Sequence, residues 1–172
     1  KPTQKRKKTP LKINLECAKL NLWPLLKKEK EEHLILYENL LELIEHFYQK
    51  PLLHFFSDQK DFSRHFLDMW LKQLKKALAK DPEHPPVFEK IAFEDQKLQI
   101  LYYNMLRGAK EKYPPLLDFV KAAPSAAKEE KICLLHATPL MLSVFFKEAA
   151  EAVYEEMHSE TLAVTEERIE EI

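Results

Sequence analysis

The sequence predicts an all-α protein: an irregular multi-helix bundle or short helical-repeat stack of about six to seven helices. Gly108 is the only glycine among 172 residues, where average usage of about 7% predicts roughly twelve. Leucine occurs 27 times against five valines and eight isoleucines. Leucine keeps its rotamers in a helix, whereas β-branched residues favour strands. Apolar side chains also recur at helical spacing.

Three long amphipathic helices are predicted, over residues 29–49, 59–80 and 87–107. The second has a regular stripe with one apolar residue every four positions: Phe62, Phe66, Trp70, Leu74 and Leu78. Asp95 interrupts the stripe of the third helix. Gly108 then falls where a helix C′ residue belongs, because glycine adopts a left-handed conformation without steric penalty.

Eleven prolines mark where the helices are expected to begin or end. Pro51 is expected to stop the first long helix. Shorter helices are predicted at 15–22, 116–122, 126–137 and 139–158. A Pro-Leu-Leu or Pro-Leu-Met sequence begins at four prolines, which suggests either an internal repeat or simply a common way to open a buried helix: Pro24, Pro51, Pro115 and Pro139.

Charge divides the chain into three predicted parts. Residues 1–14 are expected to form a disordered basic arm, with a charge of +6 over the first twelve residues. Residues 15–158 form the helical domain. Residues 159–172 are an acidic segment in which Thr165 caps the start of a further helix.

Composition argues against most nucleotide-dependent enzyme classes. Phosphate-binding loops, dinucleotide loops and nucleophile elbows need glycines, and one glycine cannot supply them. Cys17 and Cys133 are too few and too far apart in sequence for a disulfide framework, so both thiols are expected to be free in a reducing, intracellular compartment. No membrane span, cofactor or small-molecule ligand is predicted.

Two short motifs have metal-ligand spacing. Cys133 and His136 lie three residues apart, and Glu155 and His158 share that spacing. A structural zinc site needs four ligands, and a di-iron bundle needs two Glu-x-x-His helices. Neither set is complete, so we expect a buried cysteine, a core histidine and a solvated helix face. No metal or catalytic residue is assigned.

The basic arm provides the clearest functional motif. Lys5, Arg6, Lys7 and Lys8 resemble a simple nuclear-import signal or a phosphate contact. The same pattern also occurs in solubilising tails. Nucleic acid bound through this arm would be held without sequence preference and with strong salt dependence.

The leading functional hypothesis is a non-enzymatic protein–protein interaction domain, an adaptor or scaffold within a larger protein or assembly. The first alternative is a nuclear or nucleic-acid-associated factor using the basic arm, and the second is an enzyme with a dispersed site. Phe55 and Phe56 are adjacent in sequence, as are Tyr102 and Tyr103, and one helix face cannot bury both rings of either pair. A partner surface is therefore predicted among these four aromatic residues and two isoleucines near the end of the sequence: Phe55, Phe56, Tyr102, Tyr103, Ile169 and Ile172.

Overall fold

The computed structural model describes residues 16–125 and 132–159. Helical residues make up 69% of this part, which confirms the all-α class. Five α-helices lie entirely within the described residues: α1 (Trp23–Lys27), α2 (Leu34–Phe55), α3 (Phe62–Lys80), α4 (Gln96–Arg107) and α5 (Pro139–Phe146). Residues 150–159 are helical as well. The predicted count of six to seven was slightly too high, because several expected short helices are 3₁₀ turns or strands.

The core is built on α2 and α3, which pack against each other more extensively than any other two elements of the described residues. The stripe predicted for the second long helix is buried in this core at Phe66, Trp70 and Leu74. Tyr37 and Ile44 of α2 and Phe66 and Trp70 of α3 have no solvent-exposed surface. Burying a large side chain of this kind contributes about 1.5–3 kcal/mol, so this pair supplies much of the stability.

Pro51 does not end the helix, contrary to the prediction. It lies inside α2, which continues to Phe55. A proline removes one backbone hydrogen bond from a helix interior. Leu52 is fully buried and Phe56 is nearly so. Burial of these two apolar side chains offsets the lost hydrogen bond. The position of a proline in the sequence does not show this burial.

The third long helix begins later than predicted. Residues 88–90 form a 3₁₀ turn, and α4 starts at Gln96. Asp95, which interrupts the apolar stripe, is the N-cap of this helix: its Oδ1 accepts hydrogen bonds from the backbone N–H of Lys97 (2.8 Å) and Leu98 (3.1 Å). An N-cap satisfies N–H groups that have no partner within the helix.

Two of the predicted short helices contain strands. The segment predicted as helix 15–22 holds a 3₁₀ turn at Glu16–Ala18 and strand β1 at Leu20–Asn21. The segment 116–122 holds a 3₁₀ turn at Leu116–Asp118 and strand β2 at Val120–Lys121. The strands pair in parallel, with Leu20 opposite Val120. The pairing joins segments that are distant in sequence, so local propensity could not predict it.

The buried side chain of Asn21 connects the two strands and α1 through hydrogen bonds. Its Nδ2 donates to the Ala123 carbonyl at 2.8 Å. Its Oδ1 accepts from the backbone N–H of Ala123 at 3.0 Å and of Trp23 at 3.2 Å. These bonds fix β1, β2 and the start of α1 relative to one another.

Asn21→Ala is expected to lower the free energy of unfolding by about 2–3 kcal/mol, because it leaves buried backbone groups without hydrogen-bond partners. Urea denaturation followed by far-UV circular dichroism measures the change. Asn104→Ala, at an exposed position of α4, is the control and should change stability by less than about 0.5 kcal/mol. Equal effects of the two variants would contradict this role for Asn21.

The C-terminal region is divided differently from the prediction. Thr138 caps α5 by accepting from the Met141 N–H at 3.2 Å. The predicted single helix 139–158 breaks at Lys147, whose φ is +49°. Of the predicted helix 126–137, residues 126–131 lie outside the described residues, and Leu134–His136 form a 3₁₀ turn. The basic arm and the acidic segment beyond residue 159 also lie outside.

The Pro-Leu-Leu segments do not share one structural context. Pro24 and Pro139 lie in the first turn of α1 and α5. Pro51 is inside α2, and Pro115 precedes a 3₁₀ turn. The four segments therefore do not behave as copies of one structural unit, and Pro51 does not open a helix.

Candidate interaction surface

The orientation of α4 is set by Tyr102, which is fully buried. Its hydroxyl donates to the Phe88 carbonyl at 2.8 Å and accepts from Trp70 Nε1 at 3.0 Å. Burial raises the pKa of Tyr102 above its ordinary value, because the phenolate would lose its hydration. The phenol therefore stays protonated and remains a hydrogen-bond donor that links α3, α4 and the turn before α4.

Fixing Tyr102 inward turns the neighbouring residue outward. Successive side chains on an α-helix are about 100° apart, so Tyr103 lies at the edge of the buried face and is 39% exposed. Ile100 lies on the same outer side and is 61% exposed. A tyrosine and an isoleucine thus face solvent within one turn of each other.

Five exposed residues form the outer stripe of this helix, which we call the α4 surface: Lys97, Ile100, Tyr103, Asn104 and Arg107. Their spacing of three and four residues places them on one face. Between Gln96 and Arg107 the helix contains no Asp or Glu. The α4 surface therefore combines two exposed apolar side chains with two cations and no carboxylate.

The cationic character continues past the end of the helix. A groove of about 590 Å³ is lined by residues 107–115 and by Leu140 of α5. The groove is lined by three cationic side chains, Arg107, Lys110 and Lys112, and by one carboxylate, Glu111. Leu140 is 46% exposed and supplies apolar surface. Arg107 belongs to both the α4 surface and this groove, so the two are continuous.

The far side of the groove is held by Tyr48 of α2. Its hydroxyl donates to the Pro114 carbonyl at 2.8 Å, and its ring meets the Tyr113 ring edge-on at 5.4 Å. Burial raises the pKa of Tyr48, so this donor also stays protonated. The groove wall is thereby fixed to the long helix of the core.

The structure places the residues predicted for a partner surface in different environments. Tyr102 and Phe56 belong to the core, so these two rings are not available to a partner. Tyr103 is exposed, and Phe55 is half-buried with its ring edge-on to Phe56 at 4.6 Å. Ile169 and Ile172 lie outside the described residues, as do Lys5, Arg6, Lys7 and Lys8.

Ile100, Lys97 and Arg107 were missed by the sequence reasoning. Two features of the sequence could have indicated this surface. The segment 96–107 contains no acidic residue, and Ile100 lies off the apolar stripe of its helix. A helix whose core stripe is already complete leaves such a residue to solvent.

A second groove, of about 510 Å³, lies between α3 and the segment that follows α1. Its charges are mixed and partly paired: Lys30 contacts Asp68 at 3.6 Å, and Lys75 contacts Glu29 at 3.9 Å. Exposed pairs of this kind are worth about 0–1 kcal/mol each. This groove therefore offers no single-sign surface comparable with that around Arg107.

The candidate metal motifs remain incomplete in the described residues. Cys133 is half-buried and His136 is exposed. His158 Nδ1 donates to the Tyr154 carbonyl at 2.8 Å. Across residues 16–125 and 132–159, no three His, Cys, Asp or Glu side chains are grouped so that they could hold a metal ion. The structure does bring Cys17 next to Cys133, a proximity that sequence reasoning missed.

No protein-family model matches this chain, and comparisons with curated proteins and with solved structures likewise found no match. Within the described part of the chain, no helix combines the length and apolarity needed to cross a bilayer. Any assignment of function therefore rests on the surfaces described above.

Proposed function

We propose that this chain is a non-enzymatic protein–protein interaction domain whose α4 surface and adjoining groove bind an acidic amphipathic segment of another protein. The observation that carries the proposal is the exposure of Ile100 (61%) and Tyr103 (39%) on a helix face whose only charges are cationic.

The apolar side chains supply the affinity in this proposal. Fully burying an isoleucine or a residue of similar size contributes about 1.5–3 kcal/mol relative to exposure. Tyrosine and arginine are enriched among the residues that dominate binding energy at protein interfaces. Ile100, Tyr103 and Arg107 therefore form the centre of the proposed interface, with Lys97 and Asn104 at its rim.

The charges select the partner. Lys97, Arg107, Lys110 and Lys112 outnumber Glu111 along the α4 surface and groove. Complementary charge steers encounter and suppresses wrong partners more than it raises affinity. An amphipathic helix presents apolar side chains at intervals of three or four residues. A partner helix with such a stripe flanked by Asp and Glu would match both features.

Nucleic acid remains the alternative partner. Single-strand binders place aromatic side chains in cationic grooves so that bases can stack on them. Tyr103 fits that description, but an exposed Ile100 offers no stacking surface. An enzymatic role is supported less, since neither groove described above is lined by Cys133 or His136.

A displayed library of short peptides tests the proposal. The full chain should enrich acidic peptides with apolar residues at helical spacing. Ile100→Asp should weaken the selected peptides at least about tenfold, because it adds a carboxylate and removes buried apolar surface. Fluorescence anisotropy with a labelled peptide measures this loss.

The matched control is Ile35→Asp, which places the same change at a more exposed isoleucine, 80% accessible, on α2. It should leave peptide affinity within about twofold. Equal losses in the two variants, or selection of neutral or basic peptides, would overturn the proposal. If the chain binds a single-stranded oligonucleotide, and Ile100→Asp abolishes that binding while Ile35→Asp does not, the α4 surface would be assigned to nucleic acid instead of a protein.

A further inference from the structure

Cys17 and Cys133 face each other although 115 residues separate them in sequence. The backbone N–H of Cys133 donates to the Cys17 carbonyl at 2.9 Å. The 3₁₀ turns at Glu16–Ala18 and Leu134–His136 pack against each other. Interaction with the Cys133 side chain, and to a lesser degree burial, raises the pKa of the Cys17 thiol.

Both cysteines sit on segments that are held in place. Ala18, beside Cys17, is fully buried, and Ala137, at the end of the second turn, is 3% exposed. The Leu20 N–H donates to the Phe119 carbonyl at 2.8 Å, which anchors the chain just after the first turn. The thiols are therefore neighbours because the fold keeps them so.

The pair is suited to direct oxidation. A disulfide needs Cα atoms about 4.4–6.8 Å apart, and the direct backbone hydrogen bond between the two residues holds them at short range. Both cysteines are free and only half-buried, so a small reagent can reach them. The Lys121 charge offsets only part of the rise in the Cys17 pKa, so the attacking thiolate forms more readily as the pH rises.

We propose that Cys17 and Cys133 form a reversible redox-modification site that is oxidised to an intramolecular disulfide by a low-molecular-weight disulfide such as oxidised glutathione. The site is separate from the α4 surface and does not depend on the proposed function.

The reaction is a two-step thiol–disulfide exchange. One cysteine thiolate attacks a sulfur of the small disulfide, forming a mixed disulfide and releasing one small thiolate. The second cysteine thiolate then attacks the protein sulfur of that mixed disulfide and releases the other small thiolate. The protein loses two electrons, the small disulfide gains them, and the two protons from the cysteines pass to the released thiols.

Oxidation should stabilise the domain. The bond would close a loop of more than 100 residues that contains α1 to α4, and long closed loops restrict the unfolded chain strongly. We expect the oxidised protein to melt on the order of 10 °C above the reduced protein.

The test treats the full-length protein with oxidised glutathione under native conditions, followed by acid quench, alkylation and peptide mass mapping. The expected product is a linked Cys17–Cys133 peptide pair in monomeric protein, reversed by reduced glutathione. Cys17→Ser and Cys133→Ser should instead each accumulate a mixed disulfide with glutathione at the remaining cysteine, and circular dichroism checks that both variants are folded.

Glutathione adducts on both cysteines without a link, a link only between two chains, or a link that forms only in denaturant would each overturn the proposal. If the link forms under native conditions but the melting temperature does not rise, the expected stabilisation is refuted while the modification site stands. Peptide binding by the α4 surface is read separately, so failure here is distinguishable from failure of the proposed function.

Discussion

Trp70→Ala is expected to lower the free energy of unfolding by about 3–5 kcal/mol, the usual cost of removing a large buried aromatic side chain. Trp70 has no exposed surface, and its ring lies 5.6 Å from the Phe88 ring and 6.2 Å from the Tyr102 ring. Its Nε1 also donates to the Tyr102 hydroxyl. The variant therefore opens a cavity and removes one bond of the network that orients α4. Urea denaturation followed by circular dichroism measures the loss.

The other tryptophan supplies the control. Trp23 is half-buried and makes a cation–π contact with Lys27, whose Nζ lies 4.9 Å from the ring centroid. Trp23→Ala should cost clearly less, about 1–2 kcal/mol. If Trp70→Ala cost no more than Trp23→Ala, Trp70 would not be the centre of this core.

Gly108→Ala is expected to destabilise the protein by about 3 kcal/mol or more. Gly108 has φ +78° and ψ 160°, a region that is essentially restricted to glycine and costs other residues about 1–3 kcal/mol. A Cβ atom there would lie 2.7 Å from Pro115 N and 3.0 Å from Pro114 C. Both are backbone atoms, so the clash cannot be relieved by a side-chain rotation.

The effect of Gly108→Ala should reach the groove as well, because Gly108 connects α4 to the turn that carries Lys110 and Lys112. Thermal and urea unfolding measure the stability change. Lys110→Ala, an exposed substitution in the same turn, is the control and should stay within about 0.5 kcal/mol of the parent. A stable Gly108→Ala variant would show that this backbone conformation is not required.

The long elements could be predicted from the sequence because their information is local. The stripe through Phe66 and Trp70 repeats over many turns and fixes both helix type and buried face. The single glycine was correctly placed at a helix end for the same reason. Its observed ψ is not that of a left-handed helix, however, since the close approach of Pro115 decides the conformation.

The short elements could not be predicted because distant neighbours decide them. Leu20 pairs with Val120, and no local pattern indicates which segment a two-residue strand will meet. The contact between Cys17 and Cys133 follows from the same long-range packing. Asp95 is a different case: an aspartate before an apolar stripe is an N-cap signal, and the sequence contained it.

The α4 surface lies between these two cases. Burial of Leu98 and Tyr102 follows from helical periodicity, and it places Ile100 and Tyr103 on the outer side. The groove between Arg107 and Leu140 depends on where α5 packs, which only the fold determines. Sequence reasoning therefore found one member of the surface, Tyr103, and grouped it with Tyr102 and Phe56, which the structure places in the core.

Nuclear magnetic resonance mapping of one selected acidic peptide on the isotope-labelled full chain tests the central proposal most directly. We predict that backbone amide signals of residues 96–113 shift on titration, that those around Ile35 do not, and that rising salt weakens binding. Saturable binding of the same peptide with unmoved α4 signals, or with the largest shifts elsewhere on the domain, would contradict the assignment of this surface.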